Sequence, residues 1–228
     1  MFNDLNIIVP CKNEAKNLDF IIPKLLKYTS NITIVDGNSN DGTKEICKKY
    51  NVNFLLDNNL GKGDAQRVGA KRCNNRYIIF FDSDGSHQED DIPILYDKVV
   101  QDNVDLVICS RKTGGSYDLT ANVSWGGFIR AIGTDFLSLL LNKLFKTEIS
   151  DVLYSLKAIE KEKFLKLNTK ENHFGIELDI ILRSIKNKFN IIELPSKEKK
   201  RVHGFSKLKT ITGVYFIYQI LKFRIWNR

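Results

Sequence analysis

The chain is poor in the residues that staple small secreted domains. Only four of its 228 residues are Cys. Cys11, Cys47, Cys73 and Cys109 are scattered, and no C-x-x-C pair occurs. That excludes a disulfide scaffold and gives no zinc or redox motif. No run of about 18 or more uncharged apolar residues is present, so a membrane-spanning helix is not expected. The first residues lack the basic, apolar and small-residue order of a secretory signal, so none is expected. Neither a Gly-x-Ser-x-Gly elbow nor a Walker loop occurs, which removes the hydrolase and P-loop classes that depend on them. His87, His173 and His203 have no metal-ligand spacing and read as structural.

What is present is a folding chain. Hydrophobic residues make up 43% and charged residues 27%, enough for one large domain with a buried core. The net charge of +8 is uneven. From Lys186 to Arg228 there are 11 Lys/Arg against Glu193 and Glu198, so this segment carries +9 and the first 185 residues carry −1. A near-neutral body with a basic end points to a localised anionic partner. Phosphate, nucleic acid and an anionic lipid surface all fit that description. The nucleic-acid reading is the weakest. It calls for aromatics interleaved with the charges, and Phe205 is the only aromatic from Lys197 to Lys209. No nucleic-acid partner is therefore expected.

Along the chain, apolar runs alternate with amphipathic stretches. Strands are predicted over 5–10, 32–36, 52–56, 77–81 and 104–110. Helices are predicted between them over 13–28, 43–50, 61–74 and 93–101, with Asp41 or Thr43 as a cap for the second. This alternation predicts an α/β fold with a mostly parallel central sheet and helices on both faces. Further on, 128–145 is amphipathic, 177–185 reads as a helix, and 191–194 reads as a strand ending at Pro195. Residues 211–226 form an apolar, aromatic stretch interrupted by Gln219, Lys222 and Arg224.

In such sheets ligands bind beyond the carboxyl ends of the strands. Asp36, Asp82 and Asp84 fall there, with Arg111 after the fifth strand. Two carboxylates spaced as Asp82-Ser83-Asp84 repel each other in a dry site unless a cation joins them. A hard divalent metal completed by a nucleotide diphosphate would do so, and a solvated turn capping the next helix is the alternative. Asp36 could accept hydrogen bonds from a base or ribose, or close a turn. The basic run Arg201-Val202-His203-Gly204-Phe205-Ser206-Lys207 offers a bidentate phosphate grip, or simply a solvated loop.

Taken in order, these patches resemble glycosyltransferase family 2, and within it the dolichyl-phosphate (polyprenyl-phosphate) mannosyltransferase branch. The resemblance spans about residues 5–209. It rests on Val9-Pro10-Cys11-Lys12-Asn13-Glu14, Val35-Asp36-Gly37 through Thr43, Gly61-Lys62-Gly63, Phe81-Asp82-Ser83-Asp84-Gly85-Ser86-His87, Ser110-Arg111, Asp151 to Lys157, and Arg201 to Leu208. It implies a GT-A (Rossmann-like) fold and an inverting hexosyltransferase that uses a nucleotide-sugar donor, Mg2+ or Mn2+, and a polyprenyl or dolichyl phosphate acceptor. GDP-mannose is the donor it implies, with UDP-glucose, another nucleotide sugar or a non-lipid acceptor as the alternative.

By position, Pro10, Lys12, Glu14, Val35 and Asp36 would line the nucleoside pocket. Asp82 and Ser83 would contact the nucleotide, and Asp82, Asp84 and Ser86 would surround the metal. Arg111, Arg130, Arg201 and Lys207 would embrace the donor diphosphate and the acceptor phosphate. The resemblance further implies a catalytic domain over 1–209 and an amphipathic membrane-interface segment over 210–228. The enzyme would sit peripherally on the cytoplasmic face of a membrane, with room for an anchoring partner subunit. The chain departs from the pattern at Lys12, where an aromatic residue is common, and at Gly37, where a second Asp is usual. It also departs at Gly85, and at Ser155, which stands where the motif has Gly.

Overall fold

A computed structural model describes residues 1–115, 125–203 and 212–226, with side chains throughout these ranges except 125–131. The first half alternates as the periodicity predicts. β1 (Leu5–Cys11), α1 (Ala15–Leu25), β2 (Ile32–Asp36), α2 (Thr43–Lys49) and β3 (Asn53–Leu56) follow one another. Next come α3 (Lys62–Arg72), β4 (Tyr77–Phe80), α4 (Asp91–Val99) and β5 (Leu106–Ser110). The second half holds α5 (Trp125–Phe145), β6 (Lys157–Glu160), α6 (Lys161–Leu167), α7 (Ile176–Lys186), β7 (Ile191–Pro195) and α8 (Thr212–Trp226).

The seven strands form one sheet in the order β3-β2-β1-β4-β6-β5-β7. All neighbours pair in parallel except at β6, which runs antiparallel to both β4 and β5. β6 and α6 are additions to the sequence reading. The strand is four residues, Lys-Ala-Ile-Glu, with a charge at each end, so it carries too little apolar pattern to register. Its place between β4 and β5 brings the Asp151–Lys157 segment beside the end of β4.

Side-chain alternation splits the core into two layers. On one face Ile7, Val9 and Ile79 meet Leu18, Ile22 and Leu25 of α1 and Ile92 and Leu95 of α4. On the other, Ile8, Ile78 and Phe80 meet Ala65 and Ala70 of α3 and Leu178 and Ile181 of α7. α8 adds Phe216 and Ile220 to that second layer, so it is docked on the domain. Its opposite side leaves Val214, Tyr218, Leu221, Ile225 and Trp226 exposed. No helix among the described residues is long and apolar enough to cross a membrane.

Candidate active site

The parallel pairing aligns the ends of β1 and β2, with Pro10 opposite Val35 and Cys11 opposite Asp36. The loops that follow are knitted together. Asn13 N–H donates to Ser39 Oγ at 2.6 Å, and Asn40 N–H donates to Asn13 Oδ1 at 3.1 Å. Asp36 is buried and accepts from the Ser39 N–H at 2.8 Å and from the Ser39 hydroxyl. Asp41 serves both flanking helices, accepting from Ala15 N–H at 2.9 Å and from Thr43 N–H at 3.2 Å. Lys12 reaches across to Asn59 Oδ1 at 3.0 Å, and Glu14 Oε2 accepts from Asn17 at 2.6 Å. These residues form a polar wall at the ends of β1 and β2. Val35 differs: its side chain is fully buried in the core layer beneath α3, so only its backbone can face that wall.

The chain leaves β4 into Asp82-Ser83-Asp84-Gly85-Ser86-His87. Asp84 Oδ1 accepts from the Ser86 N–H at 3.0 Å and from the Ser86 hydroxyl at 2.6 Å, which closes a tight turn. Gly85 sits at φ +74°, and a Cβ there would approach Val202 Cγ2 to 2.7 Å, so only glycine fits. Residues 199–202 run alongside. Lys199 N–H donates to Ser86 O at 2.7 Å, and Val202 N–H donates to Asp84 O at 3.1 Å. This brings the Arg201 guanidinium within 2.9 Å of Asp84 Oδ2. Lys199 also pairs with Glu89 at 2.6 Å, and Lys24 of α1 reaches the same carboxylate at 3.0 Å. Burial works to raise the Glu89 carboxyl, but hydrogen bonds from Lys199 and Lys24 outweigh it and hold it at about 2.

Asp82 heads a buried chain of alternating charge. Its Oδ1 lies 2.6 Å from Lys62 Nζ, and Lys62 lies 3.0 Å from Glu177 Oε1. Glu177 Oε2 then meets the fully buried Lys157 at 2.7 Å. Gln66 adds a hydrogen bond to Glu177 at 3.2 Å. Burial opposes the charge on Lys62, but Asp82 and Glu177 raise its pKa above the ordinary value. Burial likewise works to raise Asp82, and the Lys62 ammonium overrides it, so the carboxyl lies well below the usual range. Lys62 is the first residue of α3, and the Gly61-Lys62-Gly63 start of that helix packs on residues 171–173. A Cβ on Gly63 would fall 2.1 Å from the Glu171 carbonyl oxygen, so glycine alone permits this approach.

The other oxygen of Asp82 accepts from the Ser155 hydroxyl at 2.6 Å. Ser155 also meets His87 Nε2 at 3.0 Å, while His87 Nδ1 accepts from Asp82 N–H at 3.1 Å. Burial pushes the His87 imidazole below its ordinary pKa against the pull of Asp82 and Asp84, and so favours the neutral ring.

The fold thus brings Asp82, Ser83, Asp84, Ser86 and Arg201 together beyond β4, beside the wall containing Pro10, Lys12, Glu14 and Asp36. Arg111 stands apart. Its guanidinium binds Asp151 bidentately, Nε at 2.7 Å and Nη2 at 3.1 Å, and contacts Glu198 at 3.3 Å. That geometry ties the end of β5 to the 151–156 segment, where a phosphate contact had been expected. Lys207 lies outside the described residues, and Arg130 falls in the part of α5 whose side chains are outside the description. The sequence reading missed Lys62, Glu177 and Ser155 as site residues. The Gly-x-Gly frame around Lys62 was the available signal. Glu177 looked like an ordinary first-turn residue of a helix.

Metal fit follows from the donor set. No cluster of three or more His, Cys, Asp or Glu side chains able to hold an ion occurs among the described residues. The protein can offer Asp84 and Asp82 carboxylates and the Ser86 hydroxyl, all hard oxygen donors suited to Mg2+ or Mn2+. Lys62 and Arg201 already neutralise these carboxylates, so an ion at Asp84 would take the place of the Arg201 contact. A divalent ion fits if phosphate oxygens of a ligand complete its shell.

Comparison with known proteins gives the family and the fold. Residues 6–164 match the family model described as glycosyl transferase family 2. The chain is 24% identical over 202 residues to the glycosyltransferase AglJ of Haloferax volcanii, covering 87% of this chain and 64% of that protein. It therefore spans somewhat less than two thirds of that relative's length. An uncharacterized glycosyltransferase of Mycobacterium bovis is 22% identical over 205 residues, covering 90% of this chain and 89% of its own. Among solved structures, glucosyl-3-phosphoglycerate synthase from Mycobacterium tuberculosis in complex with Mn2+, UDP-glucose and phosphoglyceric acid superposes with a TM-score of 0.74. That pair is 15% identical, covering 97% of this chain and 80% of the other. The same synthase with Mg2+ and UDP gives 0.73 at 14% identity, covering 96% and 79%. The shared fold is the GT-A, Rossmann-like one, and by its matched residues this chain belongs to glycosyl transferase family 2.

Proposed function

We propose that this glycosyltransferase moves a hexose from a nucleoside diphosphate sugar to an acceptor that carries a phosphate, with Mg2+ or Mn2+ at Asp84. The observation that carries the reading is the facing of opposite charges beyond β4. The Asp82 and Asp84 carboxylates lie on one side, and Arg201 meets Asp84 at 2.9 Å from the other. UDP-glucose is the first donor to try, because the structural neighbours hold UDP or UDP-glucose with a divalent ion. GDP-mannose, implied by the branch resemblance, is the second.

When bound, the metal would offset charge on the departing diphosphate. The chain's own groups bind and align. Asp36, Glu14 and Lys12 hold the nucleoside, Lys62 keeps Asp82 ionised and fixed, and Arg201 is free to turn from Asp84 to a phosphate. An acceptor oxygen attacks the anomeric carbon from the face opposite the diphosphate, forming one C–O bond as the other breaks, and configuration inverts. If the acceptor is itself a phosphate monoester, its oxygen is already ionised near pH 7 and needs no protein base. The enzyme then contributes alignment and charge stabilisation.

One observation favours a lipid acceptor over a soluble one. α8 exposes Val214, Tyr218, Leu221, Ile225 and Trp226, while α5 exposes Ile132, Phe136 and Leu139. The helices touch through Phe145 and Phe223, and Lys222 lies over the rings of Tyr218 and Trp226. An apolar, aromatic face edged with cations suits the interface of an anionic membrane. The reading is then a peripheral enzyme on the cytoplasmic face, acting on polyprenyl phosphate, with or without an anchoring subunit.

The deciding experiment is a transfer assay with radiolabelled UDP-glucose, GDP-mannose and UDP-N-acetylglucosamine. Each is offered polyprenyl phosphate in anionic vesicles or 3-phosphoglycerate in solution, with and without chelator. Product from at least one donor, abolished by chelator and formed on the vesicles, is expected. Product on phosphoglycerate alone would move the acceptor to the soluble class. No product from any pairing would contradict the reading.

A further inference from the structure

His87, Ser155 and Asp82 close a buried ring of hydrogen bonds. The Asp82 backbone N–H can only donate, so His87 Nδ1 accepts and the ring proton resides on Nε2. Nε2 then donates to Ser155 Oγ at 3.0 Å, and the single hydroxyl proton goes to Asp82 Oδ2 at 2.6 Å. The polarity runs one way round. The carboxylate of Asp82 is thereby tied back to its own main chain.

The ring has little freedom. His87 is 2% exposed and Ser155 6%. The imidazole is wedged edge-on between Phe81 and Tyr154, each 5.0 Å away centre to centre. Lys62 meanwhile holds the opposite oxygen of Asp82 at 2.6 Å. With both oxygens engaged, rotating the carboxylate breaks a charge-assisted hydrogen bond. Ser155 comes from the segment leading into β6, which the antiparallel insertion brings alongside β4.

We propose that Ser155 is a positioning residue for the donor site. Its hydroxyl, oriented by His87, sets the plane in which the Asp82 carboxylate meets the nucleotide. The proposal rests on the proposed function and on Asp82 being a nucleotide contact, the role that the family resemblance implies for it.

The test is calorimetric titration of UDP and of GDP, each with Mn2+, into the wild type, Ser155→Ala, Ser155→Gly, Asp82→Asn and the Ser155→Ala/Asp82→Asn double variant. Losing an outer partner of a ligand-holding carboxylate is expected to weaken the tighter nucleotide about tenfold. Both Ser155 variants should show it while remaining folded, with a thermal midpoint lowered by the buried His87 Nε2–H that loses its acceptor. In the Asp82→Asn background, Ser155→Ala should add no further loss, because it acts only through that carboxylate. Wild-type affinity in both Ser155 variants, with binding lost in Asp82→Asn, overturns the proposal and leaves the Asp82 assignment standing. Losses that multiply in the double variant also overturn it. If Asp82→Asn itself binds like the wild type, the Asp82 assignment fails and the proposal with it.

Discussion

Asp84→Ala is expected to lower kcat/KM for sugar transfer by about a thousandfold in the presence of Mn2+. A divalent ion acting on a departing diphosphate contributes several kcal/mol, and about 4 kcal/mol corresponds to that factor. Asp84 is the carboxylate best placed to hold the ion. One oxygen is fixed by two Ser86 donors at 3.0 and 2.6 Å, which leaves Oδ2 facing the notch with Arg201 at 2.9 Å. The variant should remain folded. Arg201 is 38% exposed, so water can solvate the guanidinium once its partner is gone. Asp84→Asn should lose nearly as much activity, since a neutral amide is a poor ligand for a hard cation. Steady-state kinetics alongside thermal melts check this. Activity within a fewfold of wild type would remove the metal from Asp84.

Glu177→Gln is expected to destabilise the protein by about 3–5 kcal/mol, the usual cost of stripping one partner from a buried ion pair. Glu177 sits between two ammonium groups, Lys62 at 3.0 Å and Lys157 at 2.7 Å, and Lys157 has no exposed surface. The chain Asp82–Lys62–Glu177–Lys157 is neutral as a unit. Removing Glu177 alone leaves one excess positive charge in a dry environment. Lys62 still has Asp82, so the uncompensated charge falls on Lys157. The double variant Glu177→Leu/Lys157→Met removes a matched pair and leaves Lys62–Asp82 intact. It is expected to cost less than the single change, because paired buried ions can be exchanged for apolar groups at little net loss. Urea unfolding of the three proteins tests this. Equal stability of wild type and Glu177→Gln would show that the chain of charges does not support the fold.

These two residues illustrate what the sequence discloses and what it withholds. Asp84 was legible only in part: a carboxylate pair directly after a strand as apolar as Tyr-Ile-Ile-Phe lies where such sheets bind ligands, but the same pattern also fits a turn that caps the next helix. β1, β2, β4 and β5 were legible for a related reason: parallel strands covered on both faces read as apolar runs. β6 was not, since Lys157 and Glu160 at its ends look like surface residues. Lys157 is instead fully buried, and its pairing partner is 20 residues away in α7. No local pattern reports a contact of that kind. Ser155 and His87 belong to the same class, 68 residues apart and joined only by the antiparallel insertion. Arg111 shows the converse. Its position after β5 suited a phosphate ligand, but the folded chain places the Asp151 carboxylate opposite it at 2.7 Å. An arginine fork takes a protein carboxylate as readily as a phosphate, and sequence alone does not distinguish the two.

In the proposed function the Asp82–Asp84 notch holds a divalent cation together with a nucleoside diphosphate. Crystals grown with Mn2+ and UDP, or with Mn2+ and GDP, test it through the anomalous signal of manganese. One peak within coordination distance of Asp84 Oδ2, beside diphosphate density and with Arg201 swung away from the carboxylate, is the expected result. Nucleotide density with no manganese at Asp84, or manganese bound elsewhere while Arg201 keeps its 2.9 Å contact, would contradict it.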